Sequence, residues 1–594
     1  MGMFSKSEKD GGDGSRGSDS SPPPAFTTDD NYDISDGLMQ DNADQLQRHL
    51  GNRQIQLIAI GGSIGTALFV SIGGGLYRGG PGNLLLAYAA QSIVLAMVNN
   101  GIAEITTAYP VSGGFIRHAG EFVDDALGFM VGWNFFFYEA LLIPFEISAF
   151  ATVLGYWSDK TQETGPLAGI IIGVIICYAA INALAVGIFG EAEFWLSGGK
   201  VILIFILFLF TFITMVGGNP RGDAYGFRYW EGGAAFKEYL STGSLGRFEG
   251  FMGSMSSAAF TVVGPEYISI VAAEAMRPRH YIKNAFKTVY VRFGIFFIGG
   301  ALAVGIACNS MWRELYEVVV EGKGTGAAAS PYVLAMTQLG IGVLPDIVNA
   351  LILTSIFSAG NTYTYCAIRN LYSLSLEGRA PKVLQKCTKS GVPIYCFAIT
   401  MIFPLLSFTA VSSGSAVAIT WFASLVTGGG LINYIVMSIT YIRFHGACRV
   451  QGLDRAKLPY TGYLQPWCAY FALVWMTLVL GSYGYTSFTP WNTSNFFSNY
   501  TMQIFIPPLY IIWKLIHKTK VIPLGEVDLV WEKPIIDAYE ETFMEPAVGF
   551  WSEMLQLIGI GRKKNRNANR RSSMHPSDVA QARREMDQEM FGEK

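Results

Sequence analysis

Charge is what this sequence has least of. Lys, Arg, Asp and Glu make up 15% of 594 residues against 51% hydrophobic residues, and the mean hydropathy is +0.32. A soluble chain of this length needs more charge to cover its surface, so a soluble globular protein is excluded. The net charge of −3 gives nothing that points to a nucleic-acid partner. Cysteine is sparse and scattered. The seven residues, Cys177, Cys308, Cys366, Cys387, Cys396, Cys448 and Cys468, never form CxxC, so neither a zinc spacing nor a disulfide framework arises. Histidine is rare too. None of His49, His118, His280, His445, His517 and His575 lies midway along an apolar window, which argues against a histidine proton relay. The GxxxxGK[ST] phosphate loop is missing, and no metal cluster or nucleophile–base pair stands out, so an enzyme is not expected and neither is a cofactor. Cleavable signal-peptide features are absent, and the first hydrophobic segment is expected to act as an uncleaved signal anchor.

What is present is a series of apolar windows long enough to cross the roughly 30 Å hydrocarbon slab of a bilayer. Twelve spans are read, centred on 57–77, 84–108, 127–155, 167–188, 194–216, 251–273, 289–309, 344–368, 394–411, 415–441, 466–486 and 502–517. The expected fold is therefore an all-α polytopic membrane protein with a transmembrane domain over 51–517. Residues 1–50 read as a disordered cytoplasmic tail and 518–594 as a second cytoplasmic tail. Basic residues set the orientation. Arg277, Arg279, Lys283 and Lys287 follow window six, and Arg379, Lys382, Lys386 and Lys389 follow window eight. Arg443, Arg449, Arg455 and Lys457 follow window ten, and the positive-inside rule makes this shared side cytoplasmic, with both termini. The sequons at Asn492 and Asn499 then fall outside. In the C-terminal tail, Trp551, Met554, Leu555 and Ile558 form one face of a possible interfacial helix. The run Arg562, Lys563, Lys564, Arg566, Arg570 and Arg571 is either an anionic-lipid contact or a solvated charge run. The tails are also where trafficking or ubiquitin machinery would act.

Two spans are interrupted. Window one carries Gly61-Gly62-Ser63-Ile64-Gly65-Thr66, and each glycine costs a helix about 1 kcal/mol relative to alanine. Window six carries Gly264-Pro265-Glu266, where proline removes a backbone donor. Broken helices in transporters offer free N–H groups to a carboxylate and free C=O groups to an amine, and a zwitterion needs both. Close helix packing is the alternative use of the same residues. Lys200 lies about 10 Å into window five at 1.5 Å per residue. It either serves as a fixed, ion-coupling cation or snorkels to the interface. Four carboxylates also fall in the spans: Glu104, Glu139, Glu146 and Glu266. Glu139 and Glu146 are seven apart and share a helix face.

These motifs resemble those of the fungal amino-acid permeases of the amino acid–polyamine–organocation superfamily, over nearly all of residues 48 to 535. The resemblance rests on Gly61 through Phe69, on Gly79-Gly80-Pro81 with Ala103-Glu104 and Pro110, and on Pro144-Phe145-Glu146. It continues through Gly264-Pro265-Glu266 with Glu274 and Arg277-Pro278, then Ser358-Ala359-Gly360-Asn361 with Arg369 and Gly378-Arg379-Ala380-Pro381. It implies two inverted five-helix repeats followed by two further helices, with helices one and six broken around the substrate. It implies proton symport driven by the proton gradient, at the plasma membrane. Carried over by motif, Gly62, Ser63, Ile64, Gly65 and Thr66 would meet the α-carboxylate with backbone amides. Phe260, Thr261, Val262, Val263 and Gly264 would meet the α-amine with carbonyls, while Lys200 and Glu266 would couple the ion. The sequence departs from the pattern at Ala67, where glycine is usual, and at Val262, where an aromatic is expected. Glu139 also lies outside the pattern and is a specificity candidate for a cationic headgroup. The substrate class thus stays open between amino acids and carnitine- or polyamine-like amines, and a nutrient-sensing receptor is a further reading.

Overall fold

Inside a bilayer, each backbone polar group must be satisfied within its own segment, so apolar windows of this length fold as helices. A computed structural model describes residues 50–183, 186–319, 330–388, 391–488 and 490–541, together with Phe543, Ser552 and Leu555. Trp551, Met554, Ile558, the basic run from Arg562 to Arg571 and residues 1–49 lie outside the described residues. No β-strand occurs among the described residues, only three isolated bridges. All seven cysteines are free.

The helices that build the bundle and its site begin with α1 (Asn52–Ser63), α2 (Ile72–Ala108), α3 (Phe115–Phe122), α4 (Asp125–Leu154) and α5 (Thr164–Ala183). They continue with α6 (Val186–Met215), α7 (Gly243–Thr261), α8 (Pro265–Ile270), α9 (Pro278–Arg292) and α10 (Gly299–Ala307). The last are α11 (Leu344–Leu376), α12 (Ser415–Val450), α13 (Trp467–Ser482), α14 (Thr493–His517) and α15 (Lys533–Glu541). Among the described residues, nine stretches are long and apolar enough to cross a membrane. Several helices outrun the sequence windows. Helix α6 starts at Val186, eight residues before its window, and α12 runs on to Val450. Arg443 and Arg449 are therefore helical rather than in a loop, and Arg279, Lys283 and Lys287 lie on α9. Helix formation extends past the apolar stretch because polar helix ends can face water or other protein groups.

Helix α2 is two helices joined at Gly80, whose φ of 76° suits glycine. A Cβ there would also sit 2.3 Å from the Ala234 carbonyl oxygen. The loop that approaches so closely is tied down by Lys237. Its amide donates to Gly79 O at 3.0 Å, and its ammonium donates to Tyr77 O at 2.8 Å. Burial lowers the Lys237 pKa from its ordinary value.

The face that gathers the basic residues is closed by buried ion pairs. Glu104 is fully buried and takes two 2.7 Å bonds from Arg455, one from the Tyr441 hydroxyl at 2.9 Å and one from the Gly462 amide at 2.8 Å. Arg369 and Glu274 approach to 3.6 Å, and Tyr365 donates to the same carboxylate at 2.7 Å. Removing one partner of such a pair leaves an uncompensated buried charge. Arg455→Ala is therefore expected to destabilise the fold by about 3 kcal/mol, and Tyr441→Phe by about 1 kcal/mol. Thermal unfolding of the detergent-solubilised protein measures both, and equal melting temperatures for the two variants would contradict that ranking.

Beyond α14 the chain returns to this face. The Ile522 amide donates to Val123 O at 3.0 Å, Tyr109 donates to Leu529 O at 2.7 Å, and Arg117 pairs with Glu532 at 2.6 Å. Trp531 packs against Tyr109, Phe122 and His118, and burial pushes the His118 imidazole down to about 4. Residues 518–541, expected from composition as a solvated tail, are thus in part packed onto the bundle. Apolar residues spaced among charges, Val527, Leu529 and Trp531, supply that contact.

Candidate functional site

Helix α1 ends at Ser63 because the next residues leave the α region: Ile64 has φ −119° and ψ 104°. The carbonyls from Ala59 to Gly62, at this end of α1, are taken up by the protein. Ser63 Oγ donates to Ala59 O at 2.8 Å and the Ile64 amide to Ile60 O at 2.9 Å. Lys200 Nζ donates to Gly61 O at 2.7 Å, and the Tyr363 hydroxyl to Gly62 O at 3.0 Å. The donors beyond the break are treated differently. Thr66 Oγ1 donates to Glu146 Oε2, and the Thr66 amide faces the same carboxylate. The Gly65 amide has no hydrogen-bond partner among the described residues.

The second break runs from Val262 to Gly264. The Val262 amide still bonds to Ala258 O at 2.9 Å, after which Gly264 takes φ 151° and Pro265 starts α8. Carbonyls of Phe260, Thr261, Val262 and Val263 accept from no side chain or loop amide among the described residues. Glu266 folds back on its own helix start, accepting from the Gly264 amide at 3.1 Å and from the Tyr434 hydroxyl at 2.8 Å. The two breaks lie side by side. A Cβ on Gly264 would be 3.8 Å from Ser63 Cβ, and one on Gly62 would meet the Tyr267 ring at 2.8 Å. The break that carries the Gly65 amide and the break that carries the Phe260–Val263 carbonyls are therefore neighbours in the bundle.

Lys200 is buried, 1% exposed, and its charged neighbours are Glu193 and Glu146. Glu193 was not among the carboxylates read from the sequence, because window five started one residue later. It is fully buried, and its Oε1 accepts from Ser197 at 2.7 Å and Ser358 at 2.6 Å, while Oε2 has no hydrogen-bond partner among the described residues. The seven-residue spacing from Glu193 to Lys200 was the available signal, since it puts both on one helix face. The resulting cluster joins α1, α4, α6 and α11.

Glu139 is separate from this cluster. It is fully buried, and among the described residues no donor meets either carboxylate oxygen in good hydrogen-bond geometry, the Tyr267 hydroxyl being a polar neighbour that could turn to it. Its neighbours include Tyr267 and Glu266 of α8. Phe260 packs edge-on against Phe145 with ring centroids 5.1 Å apart, and it lines a cavity of about 150 Å³. That cavity lies between the residues after the first break, α7 and α12.

The amino acid permease family model matches residues 54–522. The general amino acid permease AGP2 of Saccharomyces cerevisiae is 44% identical over 481 residues, covering 80% of each chain. The dicarboxylic amino acid permease of the same yeast is 37% identical, covering 89% of this chain and 86% of its own length. The proline-specific permease of Emericella nidulans is 36% identical, covering 85% of this chain and 92% of its own. These relatives are permeases and not enzymes. A membrane bundle that brings two broken helices together at the motif residues, and that is matched across most of its length by such relatives, belongs to the fungal amino-acid permease family.

Proposed function

We propose that this protein imports amino acids by proton symport, alternating access to a site between the two helix breaks. What supports the reading is that the two breaks lie side by side, with the Gly65 amide and the Phe260–Val263 carbonyls taken by no side chain or loop group among the described residues, and with Lys200 bonded to Gly61 O. Twelve spans follow when the nine apolar stretches are joined by three more polar ones: the broken first helix, α11 and α14. The break cuts the first of these to 12 residues, and α11 and α14 carry Asn, Ser and Thr side chains that make them more polar than the nine. These spans are read as two inverted five-helix repeats plus two helices, and the positive-inside rule assigns the basic face, with both termini, to the cytoplasm at the plasma membrane. Lys200 carries the coupling: its charge stands between Glu193 and Glu146 and grips the first break, so gain or loss of its proton changes how that break is held. Retention of this lysine supports transport over a purely sensing role. Uptake of labelled amino acids into vesicles under an imposed pH gradient tests the reading. Accumulation that ignores the gradient would refute symport.

A second reading, transport of a cationic amine by the same fold, is favoured by Glu139. A buried carboxylate with no partner costs several kcal/mol if ionised, unless a cation meets it. On this reading Glu139→Gln weakens uptake of cationic substrates about tenfold, about 1.4 kcal/mol, and spares neutral amino acids. Competition by a panel of amino acids, carnitine and spermidine measures it, and equal loss for both classes, or none, sinks it.

A further inference from the structure

The cavity above Phe260 has a charge pattern that the central site does not explain. Its described lining includes the hydroxyl residues Ser71, Thr152, Ser256, Ser257, Ser424 and Thr427, one guanidinium, that of Arg78, and no carboxylate. Arg78 is half-buried, and among the described residues it has no hydrogen-bond or ion-pair partner. Its stem is held. A Cβ on Gly253 would sit 2.9 Å from Arg78 Cβ and 3.0 Å from its Cδ, so the glycine on α7 is what lets the arginine lie across that helix. The titratable groups that feel its charge are the phenols of Tyr77 and Tyr485. The nearby Glu249, which Tyr485 also faces, is engaged by the Ser241 amide at 2.8 Å and the Ser241 hydroxyl at 3.1 Å.

We propose that this cavity is an entry subsite that captures the substrate's carboxylate on Arg78 before the substrate passes Phe260. A guanidinium presents a planar fork matched to a carboxylate, and it forms the stronger, charge-assisted kind of hydrogen bond. A cleft of one sign also concentrates the oppositely charged end of a ligand and raises its rate of arrival. The hydroxyls of Ser256 and Ser257 offer polar contacts to the rest of a small zwitterion, and Phe260, which lines this space, lies two residues before the second break. The chemical class that fits is a small molecule bearing a carboxylate. An amine without one meets only a cation here and is disfavoured at entry. The subsite deepens the amino-acid reading and rests on it, because it selects what reaches the central site.

The test starts from an amino acid that the wild-type protein takes up; if no amino acid in the panel is taken up, the transport reading fails by itself. For that substrate, Arg78→Gln is expected to raise KM about tenfold at low ionic strength with little change in the maximal rate. The difference should shrink as salt rises, since screening weakens long-range attraction. Arg78→Lys should recover part of the loss, as a point charge without the fork. Inhibition of uptake by the matching amino-acid amide, which has no carboxylate, should be the same in wild type and Arg78→Gln. Ser256→Asp gives an independent route: a carboxylate on the cavity wall would engage Arg78 and repel the substrate, so KM should rise as well. An unchanged KM in whichever of these variants reaches the membrane overturns the proposal, and so does an equal loss for acid and amide.

Discussion

Gly65→Val is expected to reduce uptake by about a hundredfold or more while the protein still reaches the membrane. The reason is steric and local. A Cβ at residue 65 would lie 2.8 Å from the Ala359 methyl and 2.9 Å from Glu146 Oε1. Ala359 is fixed to the backbone of α11, and Glu146 is held by Thr66, so neither yields cheaply. The added side chain must instead displace the first break, which holds the Gly65 amide toward the site. A positioning group moved by about 1 Å commonly costs about a hundredfold in rate. Gly173→Ala is the control: an added Cβ there meets nothing within 4 Å, and uptake should match wild type. Surface labelling separates transport loss from poor expression. Wild-type uptake by Gly65→Val would show that this stretch serves packing alone.

Lys200→Gln should abolish accumulation against a gradient, with at least a tenfold fall in concentrative uptake, while exchange across the membrane continues. Glutamine keeps a donor near Gly61 O and removes the charge. Glu193 and Glu146 then lose their cation, and a buried carboxylate left alone is disfavoured by about 3–5 kcal/mol. The cluster then holds no cation whose gain or loss of a proton could answer the external pH. Lys200→Arg sharpens the test. A guanidinium stays protonated in proteins, so on the proposed mechanism this variant also fails to couple although its charge is kept. Vesicle uptake with and without a pH gradient, paired with counterflow, reads both effects. Wild-type pH-driven accumulation by Lys200→Arg would mean that the proton travels by another group.

Much of the site was legible because glycine and proline act on their own backbone. Gly264-Pro265 marked the second break in the letters, and the structure puts Gly264 at φ 151° with Pro265 opening α8. Likewise the three glycines of 61–65 marked the first break, where α1 stops at Ser63. Partners were not legible. Lys200 and Gly61 are 139 residues apart, and nothing near either names the other. Glu193 escaped because hydropathy marks where a span is apolar, whereas the helix itself begins earlier, at Val186. Nothing in the letters around Arg78 points to a cavity; only the packing of α7 and α12 against α2 puts one beside it.

The sequence by itself determined that this is a helical membrane protein, where its first and sixth spans break, and which family its motifs resemble. Those follow from hydropathy and backbone chemistry, which depend on residues adjacent in the chain. Only the tertiary structure decided that Glu104 belongs to Arg455, that Lys200 sits with Glu193 and Glu146, and that Glu139 stands apart facing Tyr267. It likewise decided that residues past 517 fold back onto the basic face, with Leu529 and Trp531 packed against Tyr109. A buried charge takes its partner from whatever helix packing brings within a few ångströms, and packing joins positions hundreds of residues apart.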